Sequence, residues 1–265
     1  MIRSPRLFPS LLILFSLLLG SPALSEGGLD TLADCIRANF PEQSSIQEVT
    51  LRTEDRGGSS RQLTAKIWWQ RFKAKRSRVL IQVRSPEDVR GASVLLIERD
   101  DGTDLFLYSP ELKKTRRINS HSVSGSLFGS DFTYEDFQQL QGLAMAGATE
   151  RLSPSALDGV TVDAFVQKKD PESGSAYEKI ITYVTRKSCI PMKSEMFAPG
   201  GTLQKVMRAD LGSMIERDGV RIPSRLSMED VLEGSTTTLE VTSLEVDVKI
   251  KRRIFELATL GRSVD

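Results

Sequence analysis

The chain has 265 residues, with 36 Lys and Arg against 35 Asp and Glu. This near-neutral balance excludes a sequence-independent nucleic-acid binder, which needs a basic surface. Two cysteines and one histidine form neither a Cys-x-x-Cys redox motif nor a ligand spacing typical of zinc, so no metal or cofactor is expected.

The N-terminus has the three parts of a secretory signal peptide. Arg3 and Arg6 precede an apolar run over residues 11–19, and small residues follow up to Ser25. The run is shorter than the roughly 20 residues that a membrane-spanning helix needs, so a retained anchor is the weaker interpretation. We therefore predict cleavage after Ser25 and an exported, soluble chain.

The predicted boundaries are a signal peptide at 1–25 and a single domain at 26–265, because β-sandwiches and barrels commonly reach roughly 200 to 250 residues. After cleavage, 34 basic and 35 acidic side chains remain. Export permits oxidation of Cys35 and Cys189. A disulfide between them and two separate buried thiols are both compatible with the sequence.

A helix is predicted first, and strands follow it. Residues 29–40 have apolar side chains at spacings of three and four, and Pro41 ends the pattern. The period then becomes two, and one face of the strand at 62–70 carries Leu63, Ala65, Ile67 and Trp69. Trp68 and Trp69 must point to opposite faces. A filled core and a concave face that encloses a hydrophobic ligand both fit this pattern.

The rest of the chain is also rich in strand patterns. Residues 94–97 are apolar on both faces and predict a strand that is covered on both sides. Near Thr242 the apolar phase slips, which indicates a bulge. No strand–helix–strand crossover is evident, so the strands are expected to be antiparallel. The predicted fold class is mainly β, with about eleven strands in one curved sheet or open barrel.

A basic cluster lies on the strand predicted at residues 112–118. Its members are Lys113, Lys114, Arg116 and Arg117. One interpretation is a solvated edge strand that is protected against pairing with other chains. The other is an electropositive rim that faces acidic lipid headgroups or an acidic partner protein.

The stretch from Leu127 to Leu140 combines aromatic and acidic residues. The acidic residues fit the start of a helix better than they fit an acid–base catalytic site. Asp131 or Thr133 can cap the helix, and Glu135 follows in its first turn. The aromatic side chains of this stretch would then insert into the interior. His121 lies in a polar loop without a nucleophile-elbow pattern, so we do not expect an enzyme.

Several segments together resemble the outer-membrane lipoprotein-sorting family of LolA-like proteins. In chain order they are RSPEDVRGASVLL (84–96), DLFLYSPELKKTRRI (104–118), FGSDFTYEDF (128–137), ESGSAYEKIITYV (172–184), IPMKSEMF (190–197) and GVRIPSRLSMEDV (219–231). The resemblance covers about residues 45–262, and GSDFTYED is its most specific motif. It implies an open barrel of about eleven antiparallel strands, with helices that cover the mouth and a lipid or acyl chain inside.

The resemblance also implies a function. Members are similar to soluble monomeric shuttles in the periplasm, which receive cargo from inner-membrane exporters of the RND/MMPL or ABC type and deliver it toward the outer membrane. A lipid-responsive sensor of the same fold, which holds a regulator protein, is the alternative.

Cavity or lid residues follow from strand phase and from this resemblance. The candidates are Trp69, Ile81, Leu96, Phe106, Phe128, Phe132, Tyr134 and Phe137. We expect residues 128–140 to form a lid or rim that moves about Gly125, Gly129 and Gly142, and Phe132→Glu to abolish lipid retention without unfolding the chain.

Overall fold

A computed structural model describes residues 27–72, 76–100, 102–119, 122–141, 148–169 and 173–262. The predicted signal peptide, His121 and Gly142 lie outside these ranges. The structure is mainly β, as the sequence predicts.

The helices and strands are, in chain order, α1 (Gly27–Arg37), β1 (Ser44–Glu54), β2 (Ser60–Arg71), β3 (Ser77–Ser85), β4 (Ser93–Arg99), β5 (Gly102–Ser109), β6 (Lys114–Ile118), α2 (Tyr134–Leu140), β7 (Ala148–Leu157), β8 (Val160–Lys168), β9 (Lys179–Thr185), β10 (Pro191–Phe197), β11 (Leu203–Ala209), β12 (Met214–Arg217), β13 (Val220–Pro223), β14 (Arg225–Asp230) and β15 (Ser235–Val246). Short 3₁₀ helices occur at Glu87–Val89, Arg252–Phe255 and Leu257–Thr259.

Thirteen strands form one antiparallel sheet in the order β6-β5-β4-β3-β2-β1-β15-β14-β11-β10-β9-β8-β7. The sheet is open, since β6 and β7 lie at its two edges and no ladder joins them within the described ranges. The prediction of about eleven strands in one curved sheet or open barrel is therefore corrected to thirteen strands in one open sheet. The sequence prediction missed β7, because Pro154 interrupts its alternation.

The β12–β13 hairpin follows β11 and precedes β14 in the chain, and it forms a separate two-stranded sheet. The sequence predicted one strand over residues 220–228, but the structure ends β13 at Pro223 and begins β14 at Arg225. The bulge predicted in the last strand is confirmed, because the register between β1 and β15 skips Thr242.

One face of the sheet, the inner face, carries the main apolar core. The sheet has two arms on either side of β2 and β1: β3–β6 form one, and β7–β11, β14 and β15 form the other. Buried side chains of β1–β5 and of β9, β10, β14 and β15 belong to one continuous cluster, so the two arms curve toward each other. Trp69 belongs to this cluster, whereas Trp68 lies in a second cluster on the opposite, outer face. Both faces of β4 are buried, as predicted.

The C-terminal segment after β15 covers the outer face. Ile254, Phe255 and Leu260 pack against Trp68 and its neighbours. Gly261 allows a close approach here: its φ is +84°, and an added Cβ would lie 2.2 Å from Cζ of Tyr108.

Candidate binding cavity

An apolar cavity of ≈ 230 Å³ lies on the inner face. Its walls come from the middle of the sheet and from the arm that contains β8–β11, β14 and β15. The apolar side chains along these strands are Val49, Ile67, Trp69, Phe165, Met196, Met207, Leu226, Leu239, Val241 and Leu244. The cavity exceeds the roughly 150 Å³ of an engineered apolar cavity that binds benzene, so it has room for a larger apolar group.

Both helices contribute to the cavity. Ile36 and Phe40 line it at the C-terminal end of α1, and Phe137 and Leu140 line it from α2. Apolar spacing explains the cavity-facing side of α1, where Ile36 also packs against buried Leu32. The expected placement of helices over the inner face is therefore seen for both.

A disulfide holds α1 beside the cavity. Cys35 is bonded to Cys189, with the Cα atoms 5.7 Å apart, at a sequence separation of 154 residues. Asn39 Nδ2 also donates hydrogen bonds to the carbonyl oxygens of Ser188 (3.0 Å) and Cys189 (3.2 Å). The end of α1 is thus fixed to the turn between β9 and β10.

Thr133 begins α2 with a capping box. Its hydroxyl oxygen accepts from the backbone N–H of Asp136 (3.0 Å), and Asp136 Oδ2 accepts from the backbone N–H of Thr133 (2.8 Å). The sequence offered Asp131 or Thr133 as the cap, and the structure selects Thr133. The predicted position of Glu135 in the first turn is confirmed, and Asp136 beside it completes the capping box.

Two acids of α2 have further buried partners. Glu135 forms a buried ion pair of 2.9 Å with Lys169 and accepts from the Ser175 hydroxyl at 2.8 Å. Asp136 accepts from the Tyr177 hydroxyl at 2.9 Å. Burial raises the pKa of Asp136, and burial together with the Asp136 carboxylate raises the pKa of Tyr177 well above its usual value. These contacts anchor α2 to the inner face.

Asp131 anchors the segment before α2. Its side chain accepts from the hydroxyls of Ser235 (2.5 Å) and Thr237 (2.7 Å) on β15, and its carbonyl oxygen accepts from Lys205 Nζ (2.5 Å) on β11. Because each of these groups is buried or half-buried, the segment is held at several points. These contacts anchor the segment to β11 and β15, and its movement as a lid or rim stays a prediction.

Two of the eight predicted cavity or lid residues line the cavity: Trp69 and Phe137. Ile81, Leu96, Phe132 and Tyr134 are instead buried in the core without lining it, and Phe128 is half-buried against them. The expectation that Phe132→Glu leaves the chain folded is corrected. Phe132 is 0% exposed, and a carboxylate there would be buried without a partner.

Phe106 lies on the outer face with Trp68, so its assignment to the cavity is wrong. Strand phase explains the error, since Leu105 and Phe106 alternate and Leu105 is the one that enters the inner core. Strand phase could have found Met196, Leu239 and Val241, but it does not tell which inner-facing side chains meet empty space.

The basic cluster lies along β6, an edge strand of the sheet. Lys114, Arg116 and Arg117 are exposed, as is Lys113 just before the strand, and none of the four lines the cavity. Arg117 forms an ion pair with Asp104, which also pairs with Arg99 at 2.9 Å. The edge-strand interpretation is confirmed, whereas the headgroup or partner rim stays a prediction.

A family model described as an uncharacterized protein matches residues 75–262. No curated protein matches the chain significantly. Among the described residues, no helix has both the length and the apolar character needed to cross a membrane.

Solved structures match over most of the chain. An outer membrane lipoprotein-sorting protein domain from Vibrio parahaemolyticus has a TM-score of 0.78 at 21% identity, covering 88% of this chain and 97% of that one. A DUF1329 family protein from Desulfovibrio piger has a TM-score of 0.80 at 22% identity, with coverages of 88% and 98%. A LolA superfamily protein from Nitrosomonas europaea gives 0.69 at 19%, with coverages of 87% and 98%.

The chain therefore has the same fold as these three proteins, one of which is a LolA superfamily protein, as the sequence resemblance predicted. The chain itself belongs to the family whose model matches residues 75–262.

Proposed function

We propose that this protein is a periplasmic carrier that binds a lipid, or the acyl chain of a lipoprotein, in the cavity on its inner face. The observation that supports this proposal most directly is the apolar lining, which sheet strands and both helices supply together. An acyl chain that leaves water for such a site gains about 0.8 kcal/mol per methylene.

The wider role follows from the fold and the N-terminal sequence. In this proposal residues 1–25 direct export, and the mature protein is a monomer that receives cargo from an inner-membrane exporter of the RND/MMPL or ABC type. It then delivers the cargo toward the outer membrane. The role is binding rather than catalysis, since the acids that suggested acid–base chemistry cap α2 or anchor its segment.

Lipid extraction tests the proposal on protein purified from its native periplasm. Native mass spectrometry of the intact protein, followed by extraction and lipid analysis, is expected to show about one lipid or acylated cargo per chain. Protein that is consistently empty, and that also fails to bind added fatty acids, would contradict a carrier. Empty protein that co-purifies with a membrane regulator would favour the sensor alternative.

A cavity-filling variant tests the location of the site. Leu226 is half-buried at the cavity wall, so Leu226→Trp places a large ring in the empty space while keeping the position apolar. We expect decanoic acid to bind at least about tenfold more weakly, a loss of roughly 1.4 kcal/mol. Fluorescence displacement of an apolar dye gives the affinity.

The matched control is Leu112→Trp, because Leu112 is 62% exposed and lies away from the cavity. Its affinity should equal that of the unmodified protein. In a series of longer fatty acids, binding to the unmodified protein should strengthen by about fourfold per methylene until the cavity is full. Unchanged binding by Leu226→Trp would exclude this cavity as the site.

A further inference from the structure

A second pocket, which we call the vestibule, adjoins the apolar cavity. It has a volume of ≈ 740 Å³ and lies where the turn between β9 and β10 meets the β12–β13 hairpin. Ile190 and Arg221 line both spaces, so the apolar cavity and this vestibule share a wall.

The hairpin divides the two spaces by its strand alternation. Val220 and Ile222 point to one side and contribute to the cavity and the inner core. Met214 and Arg221 lie on the other face of the hairpin and line the vestibule. An apolar cavity and a pocket of mixed polar and apolar lining therefore meet at a two-stranded element.

Basic side chains dominate the charge of the vestibule. Arg186, Lys187 and Arg221 line it, and none of its described lining residues is acidic. Arg186 is held by Asp163 at 2.9 and 3.2 Å, so its charge is largely balanced. Lys187 and Arg221 form no ion pair of 4.0 Å or less with any other residue of the described ranges.

The acids near these two cations do not neutralise them. Glu216 is directly opposite Arg221 in the hairpin, yet it is exposed and makes no ion pair with Arg221. Asp163 is shared by Arg186 and Arg151, which leaves that trio with a net positive charge. The vestibule therefore has an excess of positive charge directly beside an apolar space.

We propose that the vestibule binds the anionic headgroup, a phosphate or a carboxylate, of an amphiphile whose apolar chain occupies the cavity. This inference rests on the proposed function and specifies its ligand class. Arg221 is the central residue, because its side chain lies at the boundary where a chain would join its headgroup. Lys187 contacts the same anion from the turn between β9 and β10, which the disulfide and Asn39 hold in place.

Two amphiphiles of equal chain length test the assignment on the full mature protein. Decyl phosphate and decanol are compared by displacement of an apolar dye at low salt, with inorganic phosphate as a third probe. We expect decyl phosphate to bind about tenfold more tightly than decanol, since two exposed cations each add a modest attraction that salt screens.

Arg221→Gln and Lys187→Gln are each expected to weaken decyl phosphate binding by about threefold. Lys187→Gln should leave decanol binding unchanged, because Lys187 lines the vestibule and not the apolar cavity. The matched control is Arg217→Gln, which removes the same charge from the same hairpin outside the vestibule. It should change neither affinity. High salt should remove the difference between the two ligands.

The outcomes separate the headgroup inference from the carrier proposal. Equal affinity for decyl phosphate and decanol would overturn the headgroup site while the carrier proposal stands. Binding of neither amphiphile would overturn the carrier proposal itself. Inorganic phosphate that binds as tightly as decyl phosphate, with the same sensitivity to Arg221→Gln, would assign the vestibule to a free anion and overturn the inference.

Discussion

The two arms of the sheet present similar apolar side chains to the inner face, but only one arm is filled. The filled arm is β3–β6, where Ile81, Leu96 and Leu105 are buried in one core cluster with Phe132 and do not line the cavity. The open arm is β8–β11 with β14 and β15, where Met196 and Leu226 face the cavity. Asp131, in the segment at 122–141, bonds to β11 and β15 of the open arm, so this segment reaches the arm that borders the cavity.

This difference shows that the binding site is made by an incomplete filling of the core rather than by a special strand. The segment at 122–141 contributes Leu127, Phe132 and Tyr134 to the buried core cluster. Its last turn supplies Phe137 and Leu140 to the cavity wall. One segment therefore takes part both in the solid core and in the cavity wall.

The largest effect on the free energy of unfolding is expected when a fully buried phenylalanine, Phe132, is compared with one beside the cavity, Phe40. Phe132→Ala should lower the free energy of unfolding by about 3–5 kcal/mol, because it leaves a new cavity around a fully buried ring. Phe40→Ala should cost only about 1 kcal/mol, because this half-buried ring already borders empty space. Urea denaturation monitored by circular dichroism measures both. Equal losses would contradict the contrast.

The disulfide gives the next largest effect, and it acts on the open arm. Replacing Cys35 and Cys189 together by serine should lower the free energy of unfolding by about 2–5 kcal/mol, because the bridge constrains a long loop in the unfolded chain. The loss should be measured by urea denaturation of the double variant. Reduction of the unmodified protein with a thiol serves as the control and should give the same midpoint.

Acid provides the smallest effect, at Asp163, which holds Arg186 of the vestibule wall. The hydrogen bond from Arg186, aided by Arg151 and opposed by burial, lowers the pKa of Asp163. A lowered pKa in the folded state stabilises the fold above the unfolded value of about 3.9 and loses that contribution as pH falls through the folded pKa. Asp163→Asn should therefore be less stable than the unmodified protein at neutral pH.

That difference should shrink as the pH is lowered below about 4, since the unmodified protein then also loses the charge of Asp163. Thermal unfolding of the two proteins over this pH range measures it. A stability difference that stays constant down to acid pH would contradict the role of the Asp163 charge.

Much of the fold could be predicted from residue patterns. Alternation located β2 and the side chains that it buries, and the phase slip near Thr242 located the bulge in β15. The capping pattern located the start of α2. The pattern was insufficient for β7, where alternation is weak, and for residues 220–228, where two strands of different sheets follow each other closely.

The cavity was only partly predictable. Strand phase identifies the inner-facing side chains, and it placed Trp69 correctly beside the cavity. Ile81 has the same phase and similar chemistry, but it is buried in the core cluster and does not line the cavity. Which apolar side chains lack a packing partner depends on contacts between residues far apart in sequence.

The sequence by itself determined an antiparallel, mainly β chain, because local alternation, turn residues and helix caps depend on near neighbours. The tertiary structure decided that β6 and β7 stay unpaired as edges and that Cys35 meets Cys189. It also decided that one arm of the inner face is filled while the other encloses an apolar space beside Arg221. These features depend on how distant segments pack, which no local pattern specifies.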